Sequence, residues 1–136
     1  MIILDTNVVS ELMRVEDADA RVRTWLRSLR EQPVTTVMTR AEILAGIEVL
    51  PPGARRDEFR VSATAAFEQL GGCLPFTAEC AEDYARLVAD RRTRGRPLVG
   101  FDGLIAAIAV RVGATLATRN VGDFEGLGIE LVNPWH

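Results

Sequence analysis

The spacing of apolar residues changes period repeatedly along this chain, and each change predicts an element. Met1-Ile2-Ile3-Leu4 is an unbroken apolar run ended by Asp5, the signature of a short strand covered on both faces. Asn7 to Met13 reads as a short helix. Val22, Trp25, Leu26 and Leu29 follow at i, i+3, i+4 and i+7, which predicts an amphipathic helix opening near Asp17 or Asp19. Pro33 to Thr36 suits a brief strand that runs into a helix from about Val37 to Leu50, stopped by Pro51-Pro52-Gly53. A further helix spans roughly Ala54 to Gln69 and ends at Gly71-Gly72. Leu74-Pro75-Phe76 reads as a short strand or edge segment. Thr77 then caps a helix whose apolar stripe is Ala81, Tyr84, Ala85 and Val88, ending before Gly95 and Pro97. Beyond Phe101 an apolar helix runs to about Val112 and is closed by Gly113. Thr115 to Thr118 and Ile129 to Val132 are the last two strands.

Short strands alternating with helices require crossover connections. The expected fold class is therefore α/β: three layers, with a short, mostly parallel central sheet and helices on both faces. At 136 residues without an internal repeat or long linker, one domain over 1–136 is expected. In such sheets ligands gather at the carboxyl ends of the strands. Asp5 follows the first strand and Asp123 the fourth, so topology alone brings them to one edge.

Four carboxylates mark transitions between apolar runs and helices or turns: Asp5, Glu42, Asp102 and Asp123. Each has an ordinary explanation. Asp5 and Asp102 could cap the helices they precede. Glu42 closes Thr39-Arg40-Ala41-Glu42, a match to the capping box. If the helix instead begins at Thr36, Glu42 lies within it on the same face as Gly46, where a glycine would admit a neighbouring backbone. Asp123 fits turn chemistry after Thr118 and Asn120. Together on one edge, the four acids would repel one another unless a cation sits among them.

Composition narrows the chemistry. The only histidine is His136, and Cys73 and Cys80 form no Cys-x-x-Cys pair, so histidine/cysteine zinc ligation and imidazole catalysis are not expected. Both cysteines read as small buried apolar residues. All 16 basic residues are arginine and the net charge is −3. Arg55, Arg56 and Arg60 form one cluster, and Arg91, Arg92, Arg94 and Arg96 another. They permit a phosphate-bearing partner without requiring one. No apolar stretch is long enough to span a bilayer and no leader pattern opens the sequence, which predicts a cytoplasmic protein.

Oxygen ligands without nitrogen or sulfur select Mg²⁺ or Mn²⁺. Asp5 and Asp102 are the expected direct ligands, with Glu42 and Asp123 completing the site, holding waters or binding a second ion. Thr6, Asn7, Thr118 and Asn120 would orient the carboxylates or waters. Water activated by the ion would attack a phosphodiester. A phosphatase-like use of Asp5 as nucleophile fits poorly, because Asn7 stands where such sites want a second acid.

These motifs carry a resemblance. Met1-Ile2-Ile3-Leu4-Asp5-Thr6-Asn7, Ala41-Glu42-Ile43-Leu44-x-Gly46-Ile47, Phe101-Asp102-x-x-Ile105-Ala106-Ala107-Ile108-Ala109 and Leu116-Ala117-Thr118-Arg119-Asn120-x-x-Asp123-Phe124 resemble the four acidic motifs of PIN-domain proteins. Leu50-Pro51-x-Gly53-x-Arg55-Arg56, Leu74-Pro75-Phe76, Gly95-Arg96-Pro97 and Asn133-Pro134-Trp135 resemble the FitB-type branch of the VapC toxins. The resemblance implies a PIN-like fold and a type II toxin–antitoxin role. It also implies a homodimer that cuts RNA with Mg²⁺ or Mn²⁺, and a cognate antitoxin that silences it within a larger complex. The alternative is a PIN-like module that binds RNA or protein without cutting.

Overall fold

The computed structural model describes residues 1–136. Its elements follow in the order β1 (Ile2–Leu4), α1 (Thr6–Leu12), α2 (Ala20–Ser28), β2 (Thr35–Thr36), α3 (Val37–Glu48) and α4 (Ala54–Glu68). They continue with β3 (Cys73–Leu74), α5 (Ala78–Thr93), α6 (Asp102–Val112), β4 (Thr115–Ala117), α7 (Val121–Phe124) and β5 (Leu131–Val132). Strand β4 pairs in parallel with both β1 and β5, and β2 pairs in parallel with β3. A parallel bridge between Ile3 and Val34 joins the two sets, with Leu4 N donating to Val34 O at 2.8 Å and Val34 N to Ile2 O at 2.9 Å. The strands thus run β3-β2-β1-β4-β5. The order reverses at β1, so the crevice for a ligand opens beyond the carboxyl ends of β1 and β4.

Alternate strand residues feed two cores, because neighbouring side chains of a strand point to opposite faces. Ile3 and Leu116 pack with Cys80 of α5 and with Ile105 and Ile108 of α6. Leu4 and Ala117, one residue on, pack instead with Val8 and Val9 of α1, Val22 of α2, Ile43 and Ile47 of α3, Ala63 and Ala66 of α4, and Trp135. The fold class expected from the sequence is the one observed. Helix α6 is buried along nearly all of its length, from Gly103 to Ala109. It packs close to α5: a Cβ on Gly103 would lie 2.8 Å from Tyr84 Cε1. Tyr84 therefore faces the chain's own core. Gly113 closes α6 in the left-handed region (φ 65°), which glycine adopts without a Cβ penalty.

Three local expectations are corrected. The third strand is Cys73–Leu74, not Leu74-Pro75-Phe76, since Pro75 has no N–H to extend a ladder. The last strand begins at Leu131, two residues later than its apolar run suggests. On α5 the inward face is rotated: Ala81 and Ala85 are exposed, whereas Cys80, Asp83 and Arg91 are buried. Asp83 and Arg91 can lie inside because both are hydrogen-bonded there. Cys73, expected to be buried, is only half-buried.

Candidate active site

The end of β1 delivers Asp5 to the start of α1. Its backbone is extended and its Oδ1 accepts the Thr6 N–H at 2.8 Å, so it caps that helix. Capping occupies only part of its acceptor capacity. Oδ2 takes the Thr118 hydroxyl at 2.7 Å, and Asp5 N donates to Ala117 O at 2.9 Å, tying the ends of β1 and β4 together. Asp5 is 5% exposed. That burial raises its pKa, the Thr118 and Thr6 bonds oppose the rise, and the charge of Asp123 adds to it.

Glu42 lies inside α3. The cap of that helix is Thr36, whose hydroxyl accepts the Thr39 N–H at 3.2 Å, so the capping-box reading of Thr39 and Glu42 is set aside. Glu42 instead accepts the Thr6 hydroxyl at 2.9 Å, and that hydroxyl lies 3.1 Å from Thr39 Oγ1. The expected approach of backbone to Gly46 is absent, as the space where its Cβ would stand is open.

Asp102 is the first residue of α6, whose N-cap is Phe101 and which has no side-chain cap. Its carboxylate is therefore free of the capping duty that the sequence allowed. It stands half-buried, and its pKa is pushed up to about 6, first by burial and then by the charges of Asp5, Asp123 and Glu42. The other three acids thus all bear on Asp102. None forms an ion pair with an arginine. Asp123 lies exposed on α7 and shares with Asp102 a cleft of about 450 Å³, walled by Arg91, Arg96, Pro97, Leu98 and Val99.

The neighbouring polar residues differ in what they do. Thr118 is fully buried and also accepts from Asn7 Nδ2 at 3.5 Å and from Asn120 N at 3.1 Å. Asn7 Oδ1 accepts the Arg119 N–H at 3.2 Å. Asn120 contributes its backbone N–H; its side chain bonds to none of the four acids. Two participants escaped the sequence reading. Thr39 stands one turn before Glu42 on α3, a spacing that offers both to one neighbour. Arg91 lies one turn beyond the partly buried Leu87 of α5, but what holds a charged residue inside is its carbonyl partners, which lie far off in the sequence.

The arginine clusters are largely engaged within the chain. Arg56 and Arg60 both reach Glu48, Arg94 pairs with Asp90, and Arg91 and Arg96 bond to backbone carbonyls.

No three of the carboxylates stand close enough to share one ion as direct ligands. The donor set still suits a hard cation that keeps most of its waters and takes one or two carboxylates, the habit of Mg²⁺. The acids are oxygen donors, and no guanidinium neutralises them.

Comparison with known proteins agrees with this architecture. The PIN domain family model matches residues 2–127. The VapC ribonuclease Y4jK of Sinorhizobium fredii is 38% identical over 99% of this chain and 98% of its own length. Toxin FitB of Neisseria gonorrhoeae is 35% identical over 100% of this chain and 99% of its own. The crystal structure of FitAcB from Neisseria gonorrhoeae matches with a TM-score of 0.89 at 34% identity, covering 100% of this chain and 99% of that one. With its strand order, its acids at the carboxyl ends of β1 and β4, and these full-length matches, the chain belongs to the PIN-domain family as a relative of the VapC and FitB toxins.

Proposed function

We propose that this chain is a Mg²⁺- or Mn²⁺-dependent endoribonuclease, the toxin of a type II toxin–antitoxin pair. It would act in the cytoplasm as a single PIN domain over 1–136. The observation that carries the reading is that Asp5, Glu42 and Asp123 gather around Asp102 while no arginine of the chain forms an ion pair with any of the four. Repulsion among gathered acids is relieved by a bound cation or by proton uptake.

Asp5 and Asp102 would hold the ion directly, and Glu42 and Asp123 would reach it through water. When bound, the ion supplies a better water nucleophile and offsets charge growing on the phosphoryl oxygens. Thr118 and the Thr6 N–H fix the two oxygens of Asp5, leaving a lone pair on each for a ligand. Thr6 fixes one oxygen of Glu42, and its other oxygen remains to hold or deprotonate a water. With no histidine in the cleft, proton transfer falls to these carboxylates. The relatives' names, a VapC ribonuclease and a toxin FitB, support RNA as substrate and a toxin's role; a cognate antitoxin and a second copy of the chain would complete the assembly. No helix is long and apolar enough to cross a membrane.

Purified chain freed of any partner, incubated with structured RNA, is expected to cut it with Mg²⁺ or Mn²⁺ and to stop in EDTA. Full activity in EDTA, or in Asp5→Asn, refutes the reading. The net charge of −3 opposes the approach of a polyanion and favours a second reading, a PIN-like regulatory module that binds a partner protein or RNA without cutting. Intact RNA retained equally by wild type and Asp102→Asn would select it.

A further inference from the structure

The least expected residue beside the cleft is a buried cation. Arg91 is 4% exposed and has no carboxylate partner. A guanidinium taken out of water needs compensation, and here backbone carbonyls give it. Nη2 donates to Asp123 O at 2.7 Å and to Glu125 O at 2.9 Å, and Nη1 donates to Arg96 O at 3.2 Å. Two of the three carbonyls flank the side chain of one acid. Arg96 adds a third hold on the same segment by donating to Gly122 O at 3.0 Å.

The segment needs such holds. Helix α7 has four residues and no side-chain cap, and a helix of one turn has almost no stability of its own. Phe124, and Leu127 just beyond it, seat one side of the segment in the core, while Asp123 on the other side is exposed. Nη2 of Arg91 meets both carbonyls at once and fixes the orientation of the segment. Charge-assisted bonds are strong, and the planar guanidinium holds the α7 carbonyls through Nη2 while Nη1 is held on Arg96 O, two positions that the single nitrogen of a lysine ammonium cannot occupy together.

We propose that Arg91 is the positioning residue for Asp123: by clamping the carbonyls of Asp123 and Glu125 it fixes α7 so that the Asp123 carboxylate stays in the cleft with Asp102. This rests on the metal-site reading above and adds to it a residue that touches neither substrate nor ion. It also divides the Arg91–Arg96 cluster. Arg91 is spent inside the protein, while Arg96 stays exposed at the cleft wall.

The test uses the full chain and Mn²⁺ as the probe, with free Mn²⁺ read by electron paramagnetic resonance and amide exchange measured over residues 121–126. Arg91→Lys is expected to weaken Mn²⁺ binding about tenfold or more, matching Asp123→Asn. The double variant should bind no more weakly than Asp123→Asn alone, because both changes disable the same ligand. Exchange at 121–126 should quicken while β1 and β4 keep their protection. Arg91→Gln, checked by circular dichroism, serves the same purpose should the lysine variant fail to fold. Unchanged Mn²⁺ affinity in the folded variant, or losses that add in the double variant, overturns the proposal. If wild type itself binds no Mn²⁺, the metal-site reading fails and takes this inference with it. Wild-type binding with an indifferent Arg91→Lys sinks the Arg91 role alone.

Discussion

Two buried acidic positions in this molecule are balanced in opposite ways. Between α5 and α6, Asp83 is 5% exposed and receives Arg111 through Nε at 2.7 Å and Nη2 at 3.1 Å, with Arg86 as a further donor. The Arg111 bonds hold its pKa below the usual carboxylate range. At the carboxyl ends of β1 and β4, Asp5 is bonded to a hydroxyl and an amide, neither it nor Asp102 is paired with an arginine, and both have raised pKa values. The chain has 16 arginines and places two of them on Asp83. A structural acid is neutralised from within, whereas the cleft acids are left for something from outside to neutralise. The contrast separates an acid that holds the fold together from acids that the fold holds apart from their counter-ions.

That contrast can be broken experimentally, beginning with its strongest consequence. Asp102→Asn should lower RNA cleavage by at least about 100-fold, whereas Asp83→Asn should keep cleavage per folded molecule close to wild type; both are read from initial rates. Equal losses in the two variants would erase the distinction. Next, Mg²⁺ at about 100 times its Kd should stabilise wild type by about 2.7 kcal/mol. The accompanying rise in melting temperature should vanish in EDTA and in Asp102→Asn. Asp83→Asn should lower the melting temperature by several degrees in the metal-free protein, since it strands Arg111 and Arg86.

The smallest effect concerns pH. The Asp102 carboxyl rises from 3.8 to about 6 on folding, so between these values the native state keeps a proton that the unfolded chain has released. The contribution of Asp102 to metal-free stability should therefore be fully present below about pH 4, be lost as pH rises to about 6, and stay absent above it. Asp102 is half-exposed, and after allowance for solvent screening the loss is about 1 kcal/mol. Asp102→Asn should remove this slope and melt higher than wild type at pH 7. A slope that persists in the variant would assign the proton to another group.

Much of the scaffold was legible because its signals are local. The unbroken run Ile2-Ile3-Leu4, the caps at Asp19 and Thr77, and Gly113 as terminator each act within a few residues. The α5 face was misread for the opposite reason. Asp83 and Arg91 lie inside because of Arg111 and of the carbonyls near Asp123, partners up to 34 residues away that helical spacing does not reveal. The four acids stood out at strand ends, since topology gathers those ends on one edge. Whether Asp5, Glu42 and Asp102 merely cap their helices required coordinates. Asp5 does cap, while Glu42 and Asp102 do not.

The central position of β1 has a consequence for synthesis. Asp5 is made well before Thr115–Ala117, the strand from which β1 takes its partner, and Asp123 comes later still. A growing polypeptide on the ribosome therefore carries its first acid long before the strand that buries it exists, and contacts so distant in sequence are the slow ones to form. A chain that stops short of β4 and α7 leaves β1 without its parallel partner and the cleft without Asp123, so the four acids cannot yet be gathered.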